Sequence, residues 1–298
     1  MKQISSLVAS LTIALVSTLA GAQSRSSFAF VAAGNTDLQP DYFGFASDFS
    51  ATGGLVSTSG AKSFTGMDSS GIEQTMTLAG AATAQSDYGR LRARANASLT
   101  NSYYNPDNTP YFDTNRDPSV DDDGSPNSLY VAGFATFTDE LIYGGTAAAG
   151  YRASYRFFVT GSSSGGGVDA FVNVRIGSNA NESFSADLSS GMTAQYFTTG
   201  KYAIDGNRRQ TATASLTAQY RANTFELADG TDLTGAVDFS STATLDAIYL
   251  YDGNDNLVAG YTVAGASGTT YPGSPVPEPA TIAALGLGAA AILRRRRR

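Results

Sequence analysis

The chain has 298 residues, a net charge of −7, no cysteine and no histidine. The lack of cysteine excludes disulfides and thiolate metal sites, and the lack of histidine excludes Ser-His-Asp and Cys-His catalysis and the usual zinc sites. Without Lys2, Glu278 and the five terminal arginines, residues 23–277 carry a net charge of −12. So acidic a domain argues against nucleic acid or anionic lipid as a partner.

The first 22 residues have the pattern of a secretory signal peptide. Lys2 supplies the positive start, residues 4–20 are mostly apolar and uncharged, and the run ends at Ala20 and Ala22 in an A-x-A cleavage site. We predict cleavage that leaves Gln23 as the first mature residue, after export through the secretion machinery. A first transmembrane helix is the alternative, but no basic stop-transfer cluster follows.

Residues 23–271 have the composition of short strands and tight turns. Residues 168–176 alternate apolar and polar side chains with the period of two typical of a strand with one buried face, and residues 90–99 do so with alanine and arginine. Further strands are predicted at 28–33, 72–78, 129–138, 151–160, 211–220, 237–240, 244–251 and 257–263. The Asp- and Asn-rich residues 252–256 predict a hairpin turn, and residues 162–167 predict a loop tip.

These strands predict an all-β fold: an antiparallel β-sandwich of jelly-roll-like type, forming one domain at 23–271. We interpret residues 101–127 as an insertion between two strands. The sequence has no Walker-type or Rossmann motif. Catalysis by paired carboxylates stays formally open, but the missing residue types favour a non-enzymatic domain.

The insertion contains the best candidate for an ion site. Asp113, Asn115 and Asp117 stand at alternate positions and Asp121 follows, and oxygen ligands at such spacing can wrap calcium. The glycine and glutamate of an EF-hand loop are missing, so the loop is not an EF-hand. A solvated acidic loop with Asx turns fits the same residues, and no other cofactor is indicated.

Two further groups of side chains have alternative interpretations. Aromatic residues flank the acidic loop and could stack on sugar rings or pin the loop to the sandwich: Tyr103, Tyr104, Tyr111 and Phe112. A basic stripe follows one face of a predicted strand and could be a solvated face paired with acidic neighbours or a contact for acidic polysaccharide: Arg90, Arg92 and Arg94.

The chain ends in a tail of three unlike parts. A proline-rich segment comes first, with the residues Val276, Pro277, Glu278, Pro279, Ala280 and Thr281. An apolar run at 282–293 follows, and then Arg294, Arg295, Arg296, Arg297 and Arg298. The two prolines make the first part a stiff, extended spacer.

The apolar run predicts a short C-terminal transmembrane helix. A helix over residues 280–293 is roughly 21 Å long, which is short of a hydrocarbon core of about 30 Å. Snorkelling arginine stems and local thinning of the bilayer narrow the gap, and the positive-inside bias keeps the arginines cytoplasmic. A buried C-terminal helix with a basic tip is the alternative, but such a helix needs neither the proline spacer nor five arginines.

This tail resembles the PEP-CTERM sorting signal of exported bacterial proteins. The resemblance covers residues 272–298, and loosely spaced residues in 237–252 and 267–269 also look like the ends of such proteins. It implies that an exosortase, a membrane cysteine protease or transpeptidase, cuts near Pro277-Glu278-Pro279 while the tail is held in the inner membrane. Such proteins are commonly linked to exopolysaccharide, extracellular matrix and biofilm.

The leading hypothesis is therefore an exported, non-enzymatic surface or matrix protein that is anchored in the inner membrane only transiently. The alternative is a carbohydrate-binding module, calcium-assisted or not, associated with exopolysaccharide.

Overall fold

The computed structural model describes residues 23–34, 43–67, 73–102, 128–166, 168–177, 180–187, 191–223 and 231–273. Regular structure in these ranges is all strand. The strands are β1 Ser24–Gly34, β2 Phe43–Ser50, β3 Val56–Met67, β4 Glu73–Asp87, β5 Arg90–Ser102, β6 Ser128–Gly145, β7 Arg152–Gly165, β8 Val168–Ile176, β9 Ala180–Ser185, β10 Met192–Thr198, β11 Tyr202–Ala203, β12 Arg209–Asn223, β13 Thr231–Tyr251, β14 Tyr261–Gly265 and β15 Thr270–Tyr271.

The described strands form two sheets. Sheet A contains β1, β2, β6, β8, β9, β12, β14 and β15, and sheet B contains β3, β4, β5, β7, β10, β11 and β13. Strands pair antiparallel in both sheets. From β5 to β8 and again from β11 to β14 each connection changes sheet, which is the alternation of a jelly-roll-like sandwich. The predicted all-β antiparallel sandwich is confirmed.

The core lies between the two sheets, where the inward-facing positions alternate with outward-facing ones. The predicted strand at 168–176 coincides with β8, and Val172, Val174 and Ile176 on its predicted apolar face are buried while Arg175 is exposed. Tyr155 and Phe157, which the alternation places on one face of β7, are also buried.

The strand predictions were wrong in three respects. The four longer strands that the sequence did not reveal, β2, β3, β9 and β10, all lie at sheet edges, where one neighbour is missing and the apolar alternation is weaker. Residues 162–167 are not simply a loop tip, because β7 continues to Gly165. The strand predicted at 257–263 begins only at Tyr261, and Leu257 makes an isolated bridge to Tyr251.

The two strands predicted at 237–240 and 244–251 are one strand, β13, interrupted by bulges. Its register shifts between Phe239 and Ala243 against β5, and between Leu245 and Ala247 against β7. Ordinary alternation points Asp246 outward, between the buried Leu245 and Ala247, and the second bulge then leaves two consecutive residues, Ala247 and Ile248, buried. A bulge of this kind shifts the register without ending the strand.

Small residues let the two sheets approach closely at one end. A Cβ on Gly133 of β6 would come within 2.4 Å of the Thr83 carbonyl oxygen and 2.9 Å of the Arg94 carbonyl oxygen of sheet B. Side chains are therefore excluded here, and alanines such as Ala93 and Ala95 fill the facing positions of β5.

Candidate functional site

The predicted processing and ion-binding residues lie outside the described part of the chain. This holds for the signal-cleavage residues Ala20 and Ala22, for the ion-site residues Asp113, Asn115, Asp117 and Asp121, for the sorting motif at 276–281, for the helix at 282–293 and for the arginines at 294–298. Gln23 is described and exposed. These assignments stay predictions. Within the described ranges no helix has the length and apolarity to cross a bilayer, and no cluster of three or more acidic residues is placed to hold a metal ion.

An exposed group of aromatic and charged side chains lies on the outer face of sheet B. We call it the aromatic–arginine patch, and it comprises Arg156, Phe158, Tyr196, Asp246 and Tyr249. The Tyr196 and Phe158 rings lie 4.7 Å apart, and 58% of Tyr196 is exposed. The Arg156 guanidinium lies 4.8 Å from the Tyr196 ring and 5.4 Å from the Tyr249 ring.

A carboxylate holds that arginine in place. Arg156 donates from Nε at 2.7 Å and from an Nη at 2.5 Å to Oδ2 of Asp246. The planar guanidinium is fixed in this way and lies between two rings, so it holds the rings apart. The patch therefore presents a fixed, partly apolar platform with polar edges.

Strand register explains how distant residues meet in the patch. Tyr196 of β10 pairs directly opposite Phe158 of β7, and both point outward because Phe157 and Phe197 point inward. Asp246 reaches Arg156 because Leu245 pairs with Phe157, which puts the next residue of β13 beside Arg156. Sequence analysis missed Tyr196 and Asp246. The alternation in Met192–Thr198 was the available signal for Tyr196, whereas no local signal sets the register that brings Asp246 to Arg156.

The basic stripe lies on the same face, two strands away. Arg94 pairs with Asp238 at 3.6 Å, as the interpretation of a solvated, paired face expects. Arg92 donates to Oε1 of Gln85 at 2.9 Å. Arg90 and Arg92 make no ion pair with any residue in the described ranges.

A second concave feature opens at one end of the sandwich. This end cleft has a volume of about 630 Å³, and its lining includes Glu140, Tyr202, Asp205 and Arg209. Its carboxylates already have partners: Glu140 accepts from Arg209 at 2.8 Å, and Asp205 Oδ1 accepts the backbone N–H of Arg209 at 2.7 Å. The cleft thus shows internally paired charges rather than two carboxylates facing an open space.

Polar side chains buried beneath the end cleft form a closed network. The Tyr143 and Tyr155 hydroxyls lie 2.7 Å apart, and both donate to Oε1 of Gln210, whose amide nitrogen donates to the Ala203 carbonyl at 3.0 Å. Burial raises the pKa of both tyrosines above the ordinary value. Every member of the network has a partner, so the network fixes the packing here.

A buried carboxylate ties the C-terminal hairpin to the sandwich. Asp139 of β6 is fully buried and accepts from the Ser267 backbone N–H at 3.1 Å, from the Ser267 hydroxyl at 2.5 Å and from the Tyr271 hydroxyl at 2.8 Å. Burial, and then the bond to Asp139, raises the pKa of Tyr271. Sequence analysis noted Ser267 only because residues 267–269 look like the ends of PEP-CTERM proteins. It did not predict the contact of Ser267 with Asp139.

The acidic turn at 252–256 is held by bonds among its own residues and by a bond to Lys201. Asp252 accepts the backbone N–H groups of Asn254 at 2.8 Å and of Asn256 at 2.9 Å, and the Asn256 side-chain amide at 3.1 Å. The Asn256 amide holds the pKa of Asp252 below its usual value. Asp255 bonds to Lys201 at 3.0 Å, and this bond lowers its pKa. The predicted turn is confirmed, but it closes only the isolated Tyr251–Leu257 bridge, because β13 and β14 lie in different sheets and do not form a hairpin.

The fold and these surfaces define a β-sandwich domain that is followed by a proline-rich, apolar and basic tail. Residues 275–298 of that tail match the family model described as the PEP-CTERM protein-sorting motif. The chain therefore carries the signal of exported proteins that exosortase sorts through a transient membrane anchor. No curated protein matches the chain.

Several solved structures show distant similarity. One is TmCBM61 in complex with β-1,4-galactotriose, at 12% identity and a TM-score of 0.18 over 43% of this chain and 72% of the other. Another is the structure of the infectious bursal disease virus Gx strain, at 12% identity and a TM-score of 0.20 over 91% and 72%. A third concerns carbohydrate-binding modules of the β-sandwich superfamily, at 9% identity and a TM-score of 0.15 over 71% and 83%. TM-scores this low do not establish a shared fold or function.

Proposed function

We propose that the protein is cut by an exosortase near Pro277-Glu278-Pro279 and then acts outside the cell as a non-enzymatic constituent of the surface or matrix. The observation that carries the proposal is the sorting motif at residues 275–298. Its apolar run and arginines supply a weak anchor, which suits a tail that is held only until it is cut.

The non-enzymatic part of the proposal rests on the residue types in the chain. With no histidine or cysteine, neither a histidine-activated serine nor a cysteine nucleophile can form. The carboxylates of the end cleft are bonded to Arg209 or to the backbone, which supports a structural role for them. A confirming measurement is the absence of glycan cleavage by the purified protein.

Mass spectrometry of the mature C-terminus tests the sorting claim. The full chain is expressed in matched hosts with and without exosortase, and we expect a C-terminus near residue 279 only where the enzyme is present. Replacing Pro277-Glu278-Pro279 by alanines should abolish the cut, whereas Pro272→Ala, just outside the motif, should not. An intact C-terminus in both hosts contradicts the proposal.

The second candidate is a carbohydrate-binding module associated with exopolysaccharide. The specific observation that favours it is the aromatic–arginine patch, because an exposed ring held beside polar groups suits the apolar face and hydroxyl edge of a sugar. A glycan array probed with and without calcium tests this candidate. Binding that needs calcium would involve the predicted loop ligands Asp113, Asn115, Asp117 and Asp121, and no signal in either condition would contradict the candidate.

A further inference from the structure

The outer face of sheet B carries one continuous row of side chains across five strands. Register places Tyr196 opposite Phe158, Phe158 opposite Thr244, Thr244 opposite Arg90 and Arg90 opposite Asp87. At about 4.8 Å between strands, Tyr196 and Arg90 are roughly 14 Å apart. An aromatic platform and an exposed guanidinium thus lie at the two ends of one short track, with a threonine between them.

Among the residues that the structure describes, two cations on this face make no ion pair. Arg156 is neutralised by Asp246 at 2.5 Å, and Arg94 pairs with Asp238 at 3.6 Å. Asp87, the cross-strand neighbour of Arg90, binds Arg25 at 2.8 Å instead. Arg90 and Arg92 therefore keep their charge free within the described part of the chain, although residues 23–277 are strongly acidic overall.

A shallow depression lined by small side chains lies on the same face, beside the track. It has a volume of about 460 Å³ and continues the face past Arg94, and its lining includes Ala81, Asn96, Ser164 and Ala236. No bulky side chain lines this depression, so an extended chain could lie along the sheet there. Such a face suits a flexible polymer better than a compact small molecule.

We infer that the outer face of sheet B binds an anionic polysaccharide, with a sugar ring stacked on Tyr196 and a carboxylate of the glycan paired with Arg90 and Arg92. This inference rests on the proposed carbohydrate-binding role and names its ligand class and its residues. The guanidinium fork recognises a carboxylate through two parallel hydrogen bonds, which a neutral sugar cannot accept in the same way. Stacking on Tyr196 supplies affinity for any sugar ring, whereas Arg90 and Arg92 favour a glycan that carries a carboxylate.

Binding of matched acidic and neutral glycans tests the inference. The full chain in detergent is titrated calorimetrically with hexamers of polygalacturonate and polymannuronate, and with the same hexamers as neutral methyl esters. We expect at least one acid form to bind about tenfold tighter than its ester. The preference should shrink as salt is raised, because Arg90 is exposed.

Variants separate the two ends of the track. The double variant Arg90→Gln, Arg92→Gln should lower affinity for the acid form to that of the ester, whereas Tyr196→Ala should weaken both about tenfold. Arg175→Gln removes an exposed arginine from the outer face of sheet A, and Phe49→Ala removes a ring that is 42% exposed at its edge; both should leave binding unchanged.

Three outcomes would overturn the inference. Equal affinity for acid and ester, an equal loss in Arg175→Gln, or no binding of any hexamer by the wild-type protein would each do so. None of these outcomes bears on exosortase sorting, which is tested separately by mass spectrometry of the mature C-terminus. Correct sorting without glycan binding would leave the passive matrix role standing alone.

Discussion

Replacing Asp139 by alanine tests the network that holds the C-terminal hairpin β14–β15 against the sandwich. The carboxylate is fully buried and accepts three hydrogen bonds, two from Ser267 and one from Tyr271. No cation pairs with it in the described part of the chain, so these donors are its main stabilisation. The hairpin also lies directly before the tail that carries the sorting motif.

The expected cost follows from the donors left behind. A buried donor left without its acceptor typically costs about 1–3 kcal/mol, and Asp139→Ala leaves three such donors. We therefore expect Asp139→Ala to lower the free energy of unfolding by about 3–5 kcal/mol. Against a total of about 5–15 kcal/mol for an ordinary domain, such a loss is large.

Urea unfolding followed by circular dichroism measures this loss. Tyr271→Phe, the matched control, removes one donor and keeps the ring, and should cost about 1–2 kcal/mol. In the double variant the two losses should not add, because both residues belong to one network. A loss below about 1 kcal/mol for Asp139→Ala, or full additivity with Tyr271→Phe, would refute the reasoning.

Two further predictions concern the core. The Tyr220 hydroxyl is buried and has no hydrogen-bond partner in the described ranges, so Tyr220→Phe should raise stability at pH 7 by about 1 kcal/mol in urea unfolding. Burial raises the pKa of Tyr220 to about 12 from 10.0. The raised pKa therefore contributes fully to the free energy of unfolding below pH 10, and this contribution falls between pH 10 and 12. The wild type should lose stability in this window more steeply than Tyr220→Phe. Parallel curves of stability against pH would contradict the assignment. Gly133→Ala should cost about 1–3 kcal/mol, because its Cβ would lie 2.4 Å from the Thr83 carbonyl oxygen. Gly206→Ala, where the added Cβ meets no atom within 4 Å, is the control, and an equal melting temperature for the two variants would argue against the close approach of the sheets.

The sequence by itself determined the β-class of the domain and the sorting signal. Period-two alternation located β8 to the residue, because a central strand buries one face along its whole length. The tail needed no tertiary information, since its sorting motif is recognised from the linear sequence at residues 275–298. The acidic turn was also predictable, because the Asp252 carboxylate accepts hydrogen bonds from residues two and four positions away.

Tertiary structure alone decided which side chains share a surface. Arg156 meets Asp246, ninety residues away, only through the register in which β13 pairs with β7, and Asp139 meets Ser267 only after β14 pairs with β6. Edge strands escaped sequence analysis because they lack the two-sided pairing that enforces alternation. Local patterns report which face of a strand is buried, whereas a binding surface depends on the register between strands, which is fixed only when the sheets assemble.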